Sequence, residues 1–142
     1  EVCPGLQLAE NLAGGGFVVT WESEDGVDWI RNGLVSVDYR DEHEYALSVP
    51  RVLRDGDVYK IWYSRRAGEH ASTYRIGYGE SADGIRFQRM DEDAGIDVSD
   101  AGWDQEMICY PCVFDHKGER YMLYNGNGYG KTGFGLAVLE SD

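Results

Sequence analysis

Apolar and polar residues along this chain fall into short, strand-like runs, and helical spacing is nearly absent. "SVPRVLR" (48–54), "VYKIWYSR" (58–65), "YRIGYGES" (74–81) and "IRFQRM" (85–90) are rich in branched and aromatic residues, as half-buried strands are. They are separated by "DGD", "AGEHAS" and "ADG". Asp-Gly between apolar runs marks a hairpin, because glycine accepts the left-handed turn conformation that other residues resist. One stretch, "LQLAENLA" (6–13), predicts a short helix ended by "GGG". Nineteen glycines, ten tyrosines and four tryptophans agree with an all-β chain of short strands and tight turns.

Comparing the chain with itself changes the architectural reading. "WESEDGVDWIR" (21–31) returns 58 residues later as "GESADGIRFQR" (79–89), and "LESD" (139–142) opens a third copy. In phase with it, "EYALSVPRVLRDGDVYKIWYS" from Glu44 aligns with "EMICYPCVFDHKGERYMLYN" from Glu106, with one gap. Four hairpin-linked strands recurring every fifty to sixty residues describe β-propeller blades. The chain divides into a blade part (17–46), a blade (47–91) and a second blade part (107–142), about two and a half four-stranded antiparallel blades. A closed ring takes at least about four blades, and open apolar strand edges are avoided in solution. The expectation is therefore a partial β-propeller completed by oligomerisation, as a homo-oligomer of two or three copies.

Length and composition narrow the setting. At 142 residues the chain is the size of one domain. Twenty-six acidic against thirteen basic residues leave a net charge of -13, which repels nucleic acid and anionic membrane surfaces. Neither a membrane-spanning apolar run nor a signal-peptide pattern is present in these 142 residues, which begin at Glu1, not Met. Three cysteines, Cys3, Cys109 and Cys112, are too few for a disulfide framework and favour a reducing, cytoplasmic setting. Cys109 and Cys112 have C-x-x-C spacing, but "MICYPCVF" reads as a buried strand, and no second Cys/His pair completes a zinc site. No cofactor or metal is expected. "DEDAGIDVSD" (91–100) fits no calcium-loop spacing and reads as a solvated inter-blade loop.

The stretches "YRIGYGESADGIRF", "GWDQEMICYPCVF" and "YMLYNGNGYGKTGFGLAVLE" make the chain from Phe17 to Glu140 resemble the five-bladed β-propeller superfamily of glycoside hydrolases. That superfamily includes arabinanases, xylosidases, invertases and mannoside phosphorylases. More closely, the chain is similar to the C-terminal half of bacterial propeller proteins related to those glycosidases. The resemblance implies a carbohydrate-interacting propeller. It also implies that the usual catalytic trio of carboxylates, held on the first three blades, is not inherited by position.

Hydrolysis of a glycosidic bond needs one carboxyl as acid and another as base or nucleophile, about 5 to 9.5 Å apart. Glu44 and Glu106 are the pair the repeat nominates, since each precedes the first strand of its blade. Trp103 and Asp104 in "GWDQE" add a stacking surface and a further carboxylate, and Tyr45 and Tyr110 extend the surface. Trp103 would equally serve as a cap over a blade edge. His70 and His116 fall in hairpin turns, and His43 beside Glu44 is weak support for a base or metal ligand. A Ser-His-Asp mechanism has no G-x-S-x-G turn to stand on.

The loop "NGNGYGKTGFG" (125–135) imitates a phosphate-binding loop, but Gly126 and Gly130 are four apart where five are needed. The "GFGLAVLES" that follows reads as a strand, not the required helix. It is expected to connect the second and third strands of the last blade, with Asn125, Asn127 and Tyr129 at a ligand only if the loop lies on the channel-facing rim. Two functional classes follow: a glycoside hydrolase-like, carbohydrate-interacting protein of unproven catalysis, or a non-catalytic structural module that assembles a propeller.

Overall fold

The computed structural model describes residues 6–12, 15–67 and 73–140. Cys3 and His70 lie outside the described residues. The described residues form ten strands: β1 (Leu6–Leu12), β2 (Gly15–Glu22), β3 (Ile30–Val37), β4 (Glu44–Asp55), β5 (Val58–Ala67), β6 (Arg75–Ser81), β7 (Gln88–Arg89), β8 (Cys109–His116), β9 (Glu119–Asn125) and β10 (Phe134–Val138). The fold is all-β and built as partial propeller blades. β4 to β7 form one four-stranded antiparallel unit in sequence order, and β8 to β10 form a three-stranded sheet. β1, β2 and β3 are antiparallel neighbours, joined to β4 by one parallel pairing, Gly16 with Ala46. Among the described residues no helix is long and apolar enough to cross a membrane.

Three local expectations are corrected. The helix expected over 6–13 is a strand across its described residues 6–12: β1 pairs with β2 at every residue from Leu6 opposite Trp21 to Leu12 opposite Gly15. An isolated helix of two turns is marginal in water, so a continuous ladder wins. The run at 85–90 shrinks to two strand residues. The backbone N–H groups of Ile85 and Arg86 bond the Asp83 carboxylate, and that of Phe87 bonds the Ser36 carbonyl on β3. The 91–100 segment is not uniformly solvated, since Asp91 and Ala94 are buried.

Burial explains the strand patterns. The middle of β5, from Ile61 to Ser64, is buried residue after residue, because sheets cover both of its faces. On one side Ile61 and Tyr63 pack with Val18, Val37, Leu47 and Phe87. On the other side Trp62 packs with Ile76, Tyr78, Ile108, Val113 and Met122. β10 alternates instead: Phe134, Leu136 and Val138 are exposed while Gly135 and Ala137 are half-buried.

The first strands of the two blades, β4 and β8, share an irregularity. The ladder shifts register between Ser48 and Arg51 and between Cys109 and Cys112. Each shift contains a non-glycine residue with positive φ directly before a proline, Val49 (50°) and Tyr110 (59°). Such a conformation costs about 1–2 kcal/mol for an L-residue. The prolines remove a ladder donor at the same point, so strand pairing has less to lose there.

The sequence similarity of 21–31 to 79–89 has a physical counterpart in two like turns. Asp25 Oδ1 accepts from the Ser23 hydroxyl at 3.1 Å and from the Val27 and Asp28 N–H groups at 2.8 and 2.9 Å. Asp83 Oδ1 accepts from the Ser81 hydroxyl at 2.8 Å and from the Ile85 and Arg86 N–H groups at 2.8 and 3.0 Å. Gly26 and Gly84 follow with φ of 75° and 73°, the left-handed step that closes each turn.

The N–H bonds from Arg86 and Ile85, then the Ser81 hydroxyl, hold the Asp83 carboxyl down at about 2. Because its folded value lies below the ordinary 3.8, Asp83 stabilises the fold fully above pH 3.8, and that stabilisation disappears as pH falls toward 2. A carboxyl-detected NMR titration should place Asp83 near 2, and Asp83→Asn should flatten the pH dependence of unfolding between pH 4 and 2. An Asp83 titrating at an ordinary carboxylate value would contradict the turn geometry.

Candidate functional site

Most of the residues nominated by the sequence gather at one end of the sheets. β4 and β8 begin there, β5 and β9 end there, and the ladders pair Glu44 with Ala67 and Cys109 with Asn125. At this end the side chains form three groups.

The first is a shelf of aromatic rings and one arginine. The Arg66 guanidinium carbon lies 5.2 Å from the Tyr45 ring centre and 5.0 Å from that of Tyr74. The Tyr74 ring is 6.0 Å from both Tyr110 and Tyr129, and Tyr110 stacks on Tyr129 at 6.3 Å with 27° between planes. Tyr129 is exposed and Tyr110 half-buried, so the shelf reaches solvent. The strained φ of Tyr110 directs its ring, and its N–H donates to the Ser64 hydroxyl of the neighbouring blade at 2.8 Å. Burial, then the nearby Cys109, Tyr74 and Tyr129, push the Tyr110 phenol upward, so it stays a neutral hydrogen-bond donor.

The second group is a clamp between the 102–107 loop and the 125–133 loop. Buried Asn127 accepts through Oδ1 from the Glu106 and Met107 N–H groups at 2.8 and 3.1 Å and donates through Nδ2 to the Gly102 carbonyl. The Trp103 carbonyl accepts from the Asn127 N–H at 2.9 Å and from the Thr132 hydroxyl at 2.6 Å. The Trp103 ring stacks on Tyr124 at 5.5 Å, and a Cβ at Gly126 would collide with it. Asp104 is buried and accepts from the Tyr124 hydroxyl at 3.1 Å. Asn125 reaches the Tyr129 carbonyl at 3.3 Å, which links the clamp to the shelf. The loop that imitates a phosphate site is thus a wrap around Trp103, closed by left-handed Gly128, Tyr129, Gly130 and Gly133.

The third group is a buried ion cluster. The Glu44 side chain has no exposure, and both its oxygens face Arg89 in a two-pronged pair, Oε1 to Nη2 at 2.9 Å and Oε2 to Nη1, while Oε2 also takes the Arg40 N–H at 2.7 Å. Arg89 also donates to Asp91 at 2.5 Å and to the Asp38 carbonyl at 2.9 Å. Asp91 accepts from the Tyr63 hydroxyl at 2.5 Å. Burial opposes the charge on Arg89, but its hydrogen bonds to Glu44 and Asp91 outweigh it and hold the guanidinium above its ordinary value.

Glu44 and Glu106, equivalent in sequence, therefore sit in unlike surroundings. Glu106 is exposed on the clamp loop, whereas Glu44 is locked by three donors. Both Glu44 oxygens are thus taken up by donors of the protein itself. Cys109 is buried and Cys112 exposed, and both are free. Burial pushes the Cys109 thiol up to about 11, leaving it protonated and unreactive at neutral pH. Among the described residues no group of three His, Cys, Asp or Glu side chains would hold a metal. His43 and His116 are exposed. The shelf residues Arg66 and Tyr74, the half-buried Arg89 and the buried Asp91 are not singled out by sequence reasoning. The basic pair in "SRRAGEHAS" at a strand end is the one signal that points to Arg66.

Two variants separate the structural roles. Asn127→Ala strands two backbone donors and should lower unfolding stability by about 1–3 kcal/mol, measured by urea denaturation. Glu44→Ala leaves the largely covered Arg89 beside one carboxylate fewer and should lower it by about 3–5 kcal/mol. Stability equal to wild type in Glu44→Ala would show that the ion cluster is not structural.

No family model matches the chain. Two curated relatives from Mycobacterium tuberculosis strains, the uncharacterised proteins Rv1502 and MT1551, are each 48% identical over 120 residues, spanning 84% of this chain. The chain covers 39% of the length of these relatives. Among solved structures, one described as a glycoside hydrolase and one of a BT0996 RGII complex each superpose with TM-score 0.67 at 17% identity. Each match takes in 93% of this chain and 38% of the other. A Bombyx mori GH32 β-fructofuranosidase in complex with sucrose superposes with TM-score 0.64 at 16% identity, over 98% of this chain and 31% of its own. The fold is that of glycoside hydrolase-like propellers.

Proposed function

We propose that the chain is part of a five-bladed, glycoside hydrolase-like propeller and that its strand-end shelf binds a glycan. The observation that carries this reading is the run Tyr45, Arg66, Tyr110 and Tyr129 arranged around the buried Tyr74 ring, with Tyr129 exposed to solvent beside Asn125. Sugar rings present C–H faces that stack on such surfaces, and hydroxyls that pair with amide and guanidinium groups. The likeness in fold to the glycoside hydrolase structures supports the ligand class.

Binding without bond cleavage is the reading the carboxylates favour. Both Glu44 oxygens are engaged by the Arg89 guanidinium and the Arg40 N–H, whereas Glu106 is exposed on the clamp loop, so the two carboxylates do not face one pocket as an acid–base pair. The second reading, an assembly module, rests on the strand β10, which pairs with β9 alone among the described residues. Further blades, from other copies of this chain or from more of the same polypeptide, would complete the ring.

On a glycan array, the full chain should retain at least one oligosaccharide. Tyr129→Ala should weaken that binding by up to about tenfold. Failure to retain any glycan would leave only the assembly role. Turnover of an aryl glycoside that is abolished by Glu106→Gln would replace binding with catalysis. Mass measurement in solution tests ring completion, which expects two or three copies.

A further inference from the structure

A cavity of about 420 Å³ lies by Arg65 and Arg75, which pair across β5 and β6, and is bordered by Arg40 and the 91–97 segment. Arg65 and Arg66 are successive strand residues, so their side chains leave opposite faces of the sheet. The cavity is therefore separate from the aromatic shelf. Three of the thirteen basic residues in a chain of net charge -13 converge here.

Their hydrogen-bonding is unequal. Arg75 is engaged, with Nη1 on the Tyr74 and Glu106 carbonyls at 3.0 Å each and Nε 3.3 Å from Asp97. Arg65 is not: its Nε is buried without a hydrogen-bond partner, and its nearest carboxylate oxygen, on Asp91, stands at 3.5 Å. That oxygen already accepts from Arg89 at 2.5 Å, and the other accepts from the Tyr63 hydroxyl. The Arg40 guanidinium has no ion pair or hydrogen bond among the described residues. Glu92 and Asp97 also border the cavity and are exposed.

A guanidinium three-quarters covered by protein, with a buried donor left over, is unfavourable unless an acceptor meets it. Planar forks of N–H donors match the two oxygens of a carboxylate or phosphate. We propose that Arg65 and Arg40, steadied by Arg75, bind an oxyanion carried by a small ligand, either the carboxylate of an acidic sugar or a phosphate group. This site is independent of the glycan shelf.

The test is titration calorimetry on the full chain at low salt with glucuronate, inorganic phosphate and, as the uncharged control, glucose. Glucuronate or phosphate should bind and glucose should not, and whichever anion binds more tightly identifies the source of the oxyanion. Arg65→Gln should weaken the binding by at least about tenfold. Arg40→Gln, at an exposed residue whose side chain supports nothing else, should weaken it several-fold without loss of fold. The proposal is overturned if neither anion binds, if glucose binds as well as glucuronate, or if Arg40→Gln and a folded Arg65→Gln bind as wild type does. Tyr129→Ala should leave anion binding unchanged, so failure here and failure of the glycan shelf are read separately.

Discussion

The Arg89 guanidinium is the point on which the site end of the molecule depends. It joins the first residue of β4, the last residue of β7 and the turn that begins the crossing to the next sheet, through Glu44 and Asp91, and lies 5.4 Å from the centre of the Tyr63 ring. Charges removed from water are tolerated when each is paired and its remaining hydrogen-bonding sites are filled. Here backbone groups add to the pairing, with the Asp38 carbonyl on Arg89 and the Arg40 and Tyr78 N–H groups on the carboxylates, while the Arg89 Nε is left buried without a hydrogen-bond partner. Gly77 makes room for it: a Cβ there would stand 2.5 Å from the Tyr63 ring and 2.7 Å from Asp91.

From this anchor the rest follows as packing. The four-stranded blade is covered on both faces, which fixes the direction of Trp62 toward the last sheet and Tyr63 toward the ion cluster. Ser64 then meets the Tyr110 N–H, so the strained residue of β8 is held by the neighbouring blade and not by its own ladder. The shelf is thus assembled from two sheets, and its geometry depends on how they dock.

Much of the fold was legible because local chemistry and global pattern agree. The Asp-Gly steps, the β4 to β6 strand runs and the place of 125–135 between two strands all follow from residue types that have few alternatives. The helix expected at 6–13 failed because its alternation suits a ladder equally well, and only the partner strand decides. The equivalence of Glu44 and Glu106 was legible, but not their different fates. That difference comes from Arg89, forty-five residues from Glu44, and no local pattern announces such a pairing. The sequence offers Asn127 as a ligand contact if its loop lies on the channel-facing rim, whereas its amide is held by the backbone of the Trp103 loop.

The open face of β10 bears on how the protein behaves as a particle. Phe134, Leu136 and Val138 are exposed on a strand with one neighbour among the described residues, a ready template for sticking edge to edge. Against that stands a net charge of -13, which keeps copies apart over a distance set by dissolved salt, roughly 30 Å at 0.01 M and 8 Å at 0.15 M. Colloidal behaviour is thereby coupled to ionic strength: the same apolar strand is guarded in dilute buffer and available for contact when the charge is screened.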